Sequence, residues 1–120
     1  MSGYSAEILN DQSKHHWSIK MFDRENGLAD RNAHFGTHKA RLAEFKQQNP
    51  GVIEFGGPMI SPDNHQPIGS CFVFKRGELF PNVDAVNKWI ENDEYHKQKV
   101  WERRDISLFI AATDPWTSQK

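Results

Sequence analysis

The chain has 120 residues, of which 37% are hydrophobic and 26% are charged, with eight Phe and four Trp. This length suits one domain, and the apolar content is sufficient for one compact core, which excludes a wholly disordered chain. The formal net charge is −1 and the basic residues are dispersed, so the sequence offers no electrostatic footprint for nucleic acid or for an anionic membrane surface.

The cysteine content and the first residues bear on the compartment. Cys71 is the single cysteine, which excludes an intramolecular disulfide and a thiolate-rich metal site. No apolar run approaches transmembrane length, and the opening residues lack the basic-then-apolar order of a signal peptide. We therefore expect a cytoplasmic protein that does not associate with membranes.

The first half of the chain predicts an arm, a strand and a helix. Residues 1–14 are polar and aperiodic, so we expect a flexible arm before a domain at 15–113. HWSIKMF alternates apolar and polar residues, which is typical of a half-buried strand. DRENGLADRN is expected to be a polar connection. From Ala33 to Gln48 the apolar spacing becomes helical, and Pro50 with Gly51 ends that helix.

The second half predicts two strands, a helix and a last strand, before a tail at 114–120. VIEFGGPMIS is a strand in which the segment 56–58, Gly-Gly-Pro, favours a bulge or bend. IGSCFVFK is nearly apolar throughout and is expected to be covered on both faces. Asn82 is a candidate N-cap for a helix starting near Val83, and DISLFIAA, 105–112, is the last strand.

This element order, β-α-β-β-α-β, predicts an α+β protein of the ferredoxin-like class, with both helices on one face of a four-stranded sheet. The third and fourth strands look apolar on both faces: Cys71 and Val73 oppose Phe72 and Phe74, for example. A second apolar face needs a cover, and the simplest cover is another copy of the chain. We therefore expect a homodimer packed sheet to sheet.

Three segments carry a resemblance to a known family: EFGGPMIS, PIGSCFVF and WIENDEYHKQKVWERRDISLF. Their most specific parts are Gly57-Pro58, Ile68-Gly69-Ser70 and Asn92-Asp93-x-Tyr95 followed by Val100-Trp101-Glu102. From Trp17 to Ala112 the chain resembles the YciI-like (YCII-related) domain family of the dimeric α/β-barrel superfamily. The resemblance implies a small ferredoxin-like domain that assembles as a dimer.

The resemblance also implies an active site. In that family a histidine on the first helix pairs with the aspartate of an Asp-Pro-Tyr segment, and the aspartate corresponds to Asp93 here. The family pattern Arg-Pro-x-His-Leu falls on residues 38–42, so Arg41 stands where the histidine is expected and His38 lies one turn earlier. The family includes a dehydrochlorinase acting on a chlorinated hydroxyquinone, and its fungal members occur in secondary-metabolite pathways.

Helical spacing also singles out Asp93. Val86, Ile90 and Asp93 are spaced i, i+4, i+7, which turns the carboxylate toward the core, where it needs a partner. The alternative is a helix that frays early and leaves Asp93 in solvent. A His38 partner would make a general base held in one tautomer, whereas an Arg41 partner would lower the pKa of Asp93 and suit the binding of a substrate oxyanion. The sequence leaves these alternatives open.

The remaining candidates would line a pocket around this pair. Tyr95 and His96 follow Asp93, Ser70 can donate a hydrogen bond to a ligand, and Gly57 with Pro58 can shape the pocket wall. His34 and His38 have the four-residue spacing of two metal ligands. Because no third ligand is adjacent, we predict no metal and count His34 with the substrate-binding candidates.

Together these features predict a small enzyme without a cofactor. Elimination (dehydration or dehydrohalogenation), isomerisation or cyclisation of an apolar oxygenated molecule, aromatic or polycyclic, needs only one base and an oxyanion partner. The alternative is a non-catalytic homodimer that binds a small molecule or supports a larger enzyme. No nucleotide loop is present, because Gly56-Gly57-Pro58 lacks both the required spacing and a following helix.

Overall fold

The computed structural model describes residues 3–111. The elements in chain order are α1 (Ala6–Leu9), a 3-10 turn (Gln12–Lys14), β1 (His15–Asp23), α2 (Leu28–Ala33), α3 (Phe35–Gln48), β2 (Ile53–Ile60), β3 (Pro67–Lys75), α4 (Val83–Glu91), α5 (Glu94–Lys97) and β4 (Trp101–Ile110). The predicted tail at 114–120 lies outside the described residues.

The strands form one antiparallel four-stranded sheet in the order β2-β3-β1-β4. This is the strand order of the ferredoxin-like arrangement, and the predicted α+β fold class is confirmed. β1 and β3 occupy the centre, so the residues that they turn toward the helices become the most buried part of the sheet. None of the helices in residues 3–111 combines the length and apolar character needed to cross a membrane.

The core lies between one face of the sheet, here called the inner face, and the helices. Alternation along β1 and β3 places apolar side chains on this face, and α4 packs its own apolar stripe against them. The buried apolar residues are Trp17, Ile19, Met21, Phe72, Phe74, Phe80, Val86, Trp89, Ile90, Tyr95, Val100 and Trp101. Asn82 caps α4 as predicted, because its side-chain oxygen accepts the Ala85 N–H at 3.0 Å.

Three element boundaries differ from the sequence-based expectation. The segment after β1, predicted to be a polar connection, contains the helix α2. The helix that was predicted to start at Ala33 therefore starts at Phe35, after a break at His34. The helix predicted to carry Asp93 ends at Glu91. Asp93 has extended backbone angles, φ −79° and ψ 145°, and caps the separate short helix α5. β4 begins at Trp101, four residues before the predicted start.

The strand irregularities also lie elsewhere than predicted. Instead of a bulge at the Gly-Gly-Pro segment 56–58, the register of β2 shifts on either side of it, between Ile53 and Phe55 and between Met59 and Ile60. A further shift occurs between β1 and β4. There Phe22 pairs with Arg103 and Asp23 pairs with Trp101, so one extra residue is accommodated in β4 and the side chain of Trp101 turns to the inner face.

The arm before β1 has regular structure within the described residues. Ser5 caps α1 through its hydroxyl, which accepts the Ile8 N–H at 3.2 Å. Asp11 caps the following 3-10 turn through the Ser13 N–H at 3.1 Å. Short polar residues at the two N-cap positions are the local signal for these turns, which periodicity alone did not reveal.

The other face of the sheet, here called the outer face, carries a mixture of apolar and polar side chains. Phe55 is 74% exposed and Phe109 is 38% exposed, while Cys71 and Val73 are half-buried. The expectation that β3 is covered on both faces therefore does not hold for the single chain. Lys20 and Asp105 pair across the same face, and Ser18 pairs with Ser107.

Gly69 allows a close approach between β3 and β1. A Cβ atom at this position would lie 2.2 Å from the Met21 carbonyl oxygen and 2.5 Å from the Met59 methyl group. We expect Gly69→Ala to lower the free energy of unfolding by about 1–3 kcal/mol, because backbone must move to admit the methyl group. Urea denaturation measures this change. Gly57→Ala is the matched control, since nothing lies within 4 Å of its added Cβ, and an equal loss in both variants would contradict the steric argument.

Candidate functional site

A cavity of about 160 Å³ opens between α3 and the edge of the sheet formed by β2 and β3. Its wall combines apolar side chains with basic ones and with two hydroxyl groups. The lining residues are Arg31, Phe35, His38, Lys39, Leu42, Lys46, Gly56, Gly57, Pro58, Ser70, Phe72 and Tyr95. None of the lining residues, all of which belong to the described range 3–111, carries a carboxylate. The predicted pocket residues Ser70, Tyr95, Gly57 and Pro58 are therefore brought together with His38.

Asp93 lies directly behind this cavity and is completely buried. One carboxylate oxygen, Oδ1, accepts hydrogen bonds from His38 Nδ1 at 2.8 Å and from the Tyr95 N–H at 2.9 Å. The other oxygen, Oδ2, accepts from Arg41 Nη1 at 2.7 Å. Burial by itself would raise the pKa of Asp93, but the hydrogen bond and charge of His38, the Tyr95 N–H and the Arg41 charge together hold it below its usual value.

His38 is held at the cavity wall by two rings and one carboxylate. Its imidazole stacks on Tyr95, with centroids 4.0 Å apart and an interplanar angle of 14°, and meets the edge of Trp101 at 5.8 Å. Because Asp93 is ionised, Nδ1 of a neutral imidazole carries the hydrogen, which leaves a lone pair on Nε2. Within the described residues Nε2 forms no hydrogen bond, so it is available to a ligand in the cavity.

Arg41 secures Asp93 from the side away from the cavity. Its Nη2 donates to the Trp89 carbonyl oxygen at 2.7 Å, and its guanidinium lies over the Trp89 ring, 4.5 Å from the centroid. Both alternatives left open by the sequence are therefore realised at once, since Asp93 contacts His38 and Arg41 together. Arg41 does not line the cavity. This position is suited to stabilising the aspartate charge and not to holding a substrate oxyanion.

A second buried cluster also lines the cavity and contains Arg31, which sequence reasoning missed. Arg31 donates to Asp23 through Nε at 2.7 Å and through Nη2 at 3.2 Å. Its Nη2 also donates to Ser70 Oγ at 2.8 Å, and its guanidinium lies 4.8 Å from the centroid of Tyr95. One sequence pattern could have indicated Arg31. Asp23 ends the predicted strand, Arg31 follows eight residues later, and the segment between strand and helix is long enough to contain a short helix.

Two predicted binding residues lie outside the cavity. His34 ends α2 and pairs with Glu94, with 3.2 Å between Nδ1 and Oε2. His96 faces a separate small groove beside Met21 and Trp101. The structure therefore does not bring His34 and His96 together with the other predicted binding residues, since neither lines this cavity.

The described residues also bear on metal binding. Among residues 3–111 no group of three or more His, Cys, Asp or Glu side chains is arranged to hold a metal ion. The two histidines with metal-ligand spacing instead have different carboxylate partners, Glu94 for His34 and Asp93 for His38.

Fold and site together define a small ferredoxin-like α+β protein with a buried histidine–aspartate pair at a cavity. A solved structure of similar fold is 5-chloro-2-hydroxyhydroquinone dehydrochlorinase from Burkholderia phenoliruptrix, in complex with 2,5-dihydroxybenzoquinone. The TM-score is 0.62 and the sequence identity is 24%, over 77% of this chain and 90% of that chain. No protein-family model matches the sequence, and no curated protein matches it.

Proposed function

We propose that this protein is an enzyme of the lyase or isomerase type that performs acid–base chemistry on a small oxygenated ring compound, with His38 as the general base. The observation that carries the proposal is the 2.8 Å contact between buried Asp93 and His38 Nδ1, with the rest of the imidazole at the cavity wall. A carboxylate that fixes the tautomer and orientation of a histidine leaves the second ring nitrogen ready to accept a proton.

This arrangement suits elimination, isomerisation or cyclisation. In an elimination, His38 Nε2 accepts a proton from the substrate, the electrons of that bond form the new double bond, and the leaving group departs with its own bonding pair. The imidazolium formed is stabilised by the ionised Asp93, whose charge Arg41 helps to maintain. The histidine returns its proton to the leaving group or to water, so the cycle needs no cofactor.

The size and lining of the cavity favour a ligand with a single ring. A cavity of about 150 Å³ in another protein accommodates benzene, and the one described here is of similar volume, about 160 Å³. Phe35, Leu42 and Phe72 provide apolar contact, and the cationic side chains of Lys39 and Lys46 also line the cavity. The quinone bound by the dehydrochlorinase of similar fold is an oxygenated single ring of this kind, which favours this ligand class over a polycyclic one.

The proposal is tested with the unmodified protein. The chain is incubated with 5-chloro-2-hydroxyhydroquinone and chloride release is measured, while binding of 2,5-dihydroxybenzoquinone is followed by calorimetry. Chloride release above that of heat-denatured protein supports the enzyme. Binding of the quinone without turnover of this or of related halogenated, hydroxylated and tautomerisable rings would instead support the alternative, a non-catalytic binding or accessory protein.

We also propose that the chain forms a homodimer through its outer face, as members of the YciI-like family do. Two aromatic residues, Phe55 and Phe109, are exposed there. The face also carries Lys20 opposite Asp105, so a second copy related by a two-fold axis can offer opposite charges as well as apolar surface. We further propose that the chain belongs to that family, acts in secondary metabolism and is cytoplasmic. The three motifs support the first two proposals, and the single cysteine supports the third.

We expect Phe55→Ser to raise the dimer dissociation constant by about tenfold or more, because a large exposed aromatic side chain that becomes buried in an interface contributes strongly to association. Sedimentation velocity over a concentration series measures the change. Leu79→Ser, at an exposed apolar residue in a loop away from this face, is the matched control. A monomeric parent at micromolar concentration, or equal effects of the two substitutions, would contradict the dimer.

A further inference from the structure

The Ser70 hydroxyl has one hydrogen without an acceptor. Its oxygen accepts from Arg31 Nη2 at 2.8 Å and from Trp101 Nε1 at 3.2 Å. Both of these groups are donors only, so they occupy the two lone pairs of the hydroxyl oxygen. The remaining hydrogen finds no acceptor among residues 3–111. Ser70 is buried and lines the cavity, so this hydrogen is available only to a ligand there.

The Tyr95 hydroxyl presents the same situation more directly. It is fully buried, and within the described residues no group accepts its hydrogen, because the neighbouring Arg31 guanidinium can only donate to its oxygen. Burial, more than any neighbouring charge, raises the pKa of Tyr95 above its usual value, so the group keeps its hydrogen and can donate it. A buried hydroxyl without a partner is costly to a folded protein, and a ligand acceptor would remove that cost.

Arg31 joins these two hydroxyl groups. Its Nε and both Nη2 hydrogens are used by Asp23 and Ser70, whereas its Nη1 has no partner among the described residues. The guanidinium lies 4.8 Å from the Tyr95 ring centroid. Asp23 compensates its charge from behind, which allows the cation to remain buried at the cavity wall. Arg31, Ser70 and Tyr95 therefore stand next to one another in the lining of the cavity, and none of them donates all of its hydrogens to the described residues.

We propose that Arg31, Ser70 and Tyr95 form a subsite for a negatively charged oxygen of the ligand, a phenolate or an enolate. The inference rests on the proposed function and deepens it, since it names the substrate class as a hydroxylated ring or enol bound as its conjugate base. Apart from His38 Nε2 and the Tyr95 oxygen, which lies near the Arg31 guanidinium, the polar side chains lining the cavity are donors, and three of them are cations, Arg31, Lys39 and Lys46. A site in which donors and positive charge predominate favours an oxygen that carries negative charge over a neutral hydroxyl group.

The test uses 4-nitrophenol, whose phenolate form absorbs visible light, and 4-nitrotoluene, in which a methyl group replaces the hydroxyl. We expect the parent protein to bind the phenolate and to increase its fraction at a pH where free 4-nitrophenol is partly ionised. Tyr95→Phe should weaken phenolate binding by about 10- to 100-fold, the effect of one hydrogen bond to a charged group. The same variant should leave 4-nitrotoluene binding unchanged.

Tyr95→Phe is a mild substitution in this position. It keeps the ring that stacks on His38 and removes a hydroxyl whose hydrogen no group in residues 3–111 accepts, so we expect its thermal stability to equal or exceed that of the parent. Equal changes in the binding of the two probes, or a parent that does not shift 4-nitrophenol toward phenolate, would overturn the subsite.

The binding test is independent of turnover. If the parent turns over none of the candidate substrates while phenolate binding is present in the parent and survives in His38→Gln, the subsite is upheld and the proposed function is refuted. Conversely, turnover by a parent that shows no preference for phenolate would uphold the proposed function while refuting the subsite.

Discussion

Replacing His38 with glutamine is expected to reduce turnover of a susceptible substrate by about 10²- to 10⁴-fold, the usual contribution of a positioned general base. The amide of glutamine can donate a hydrogen bond to Asp93 in place of Nδ1–H, so the carboxylate keeps a partner. Glutamine cannot accept a proton near neutral pH, and the proton-transfer step is therefore lost. Steady-state rates at saturating substrate, with thermal unfolding to verify the fold, measure the effect.

His34→Gln is the matched control for this experiment. His34 also pairs with a carboxylate, that of Glu94, but its side chain does not line the cavity. The same substitution there should leave the rate within about threefold of the parent, as expected for a position outside the catalytic contacts. Equal rates for His38→Gln and the parent would remove His38 from the mechanism and leave the cavity as a binding site.

Replacing Asp93 with asparagine is expected to lower the free energy of unfolding at neutral pH by about 3 kcal/mol, the lower end of the range for breaking a buried ion pair. Arg41 is one-quarter exposed and retains some access to water, which favours the lower value. Asparagine can still accept the Tyr95 N–H, so the cap of α5 is preserved. The lost interactions are the ion pair with Arg41 and the hydrogen bond from Arg41 Nη1 to Oδ2, because the amide nitrogen in that place can only donate.

The stability difference should depend on pH in one direction. The folded pKa of Asp93 is depressed, so its contribution is fully present above the unfolded pKa of about 4 and is lost as the pH falls through the folded value. The difference between parent and Asp93→Asn should therefore shrink below about pH 4.

Asp105→Asn controls for a general effect of removing an aspartate. Asp105 pairs with Arg103 at 3.2 Å, but both side chains are more than half exposed, and such pairs contribute about 0–1 kcal/mol. Two results would show that the buried carboxylate is not charged in the folded state. One is that Asp93→Asn lowers the free energy of unfolding no more than Asp105→Asn does. The other is that the stability difference between the parent and Asp93→Asn grows as the pH falls.

The burial of Asp93 was predicted correctly, although the helix on which the prediction depended does not extend that far. Val86 and Ile90 face the core on α4, as their spacing requires. Asp93 follows the end of α4 and reaches the same side by starting α5, since a side chain that caps a helix folds back over its first turn. Periodicity could not distinguish these two routes, because both bring the carboxylate inward.

Arg31 shows what the sequence could not provide. The segment between β1 and α3 is polar, so hydrophobic periodicity gave no reason to expect α2 or a buried cation within it. The burial of Arg31 depends on Asp23, Ser70 and Tyr95, which come from three other elements. Only the assembled fold brings these side chains together. The strand order, by contrast, followed from the sequence of elements alone, because few connections are compatible with two helices between four strands.

The register shift between β1 and β4 has a consequence for the chemistry of the cavity region. Regular pairing would set Glu102 opposite Asp23 on the inner face and bring a second acid toward Arg31. The extra residue sets Trp101 there instead, and its indole N–H donates to Ser70. The register of β4 thus determines whether a carboxylate or an indole N–H lies beside Arg31 and Ser70. We therefore expect an insertion or deletion in β4 to change which ligand charge the cavity prefers, even though no residue that lines the cavity is replaced.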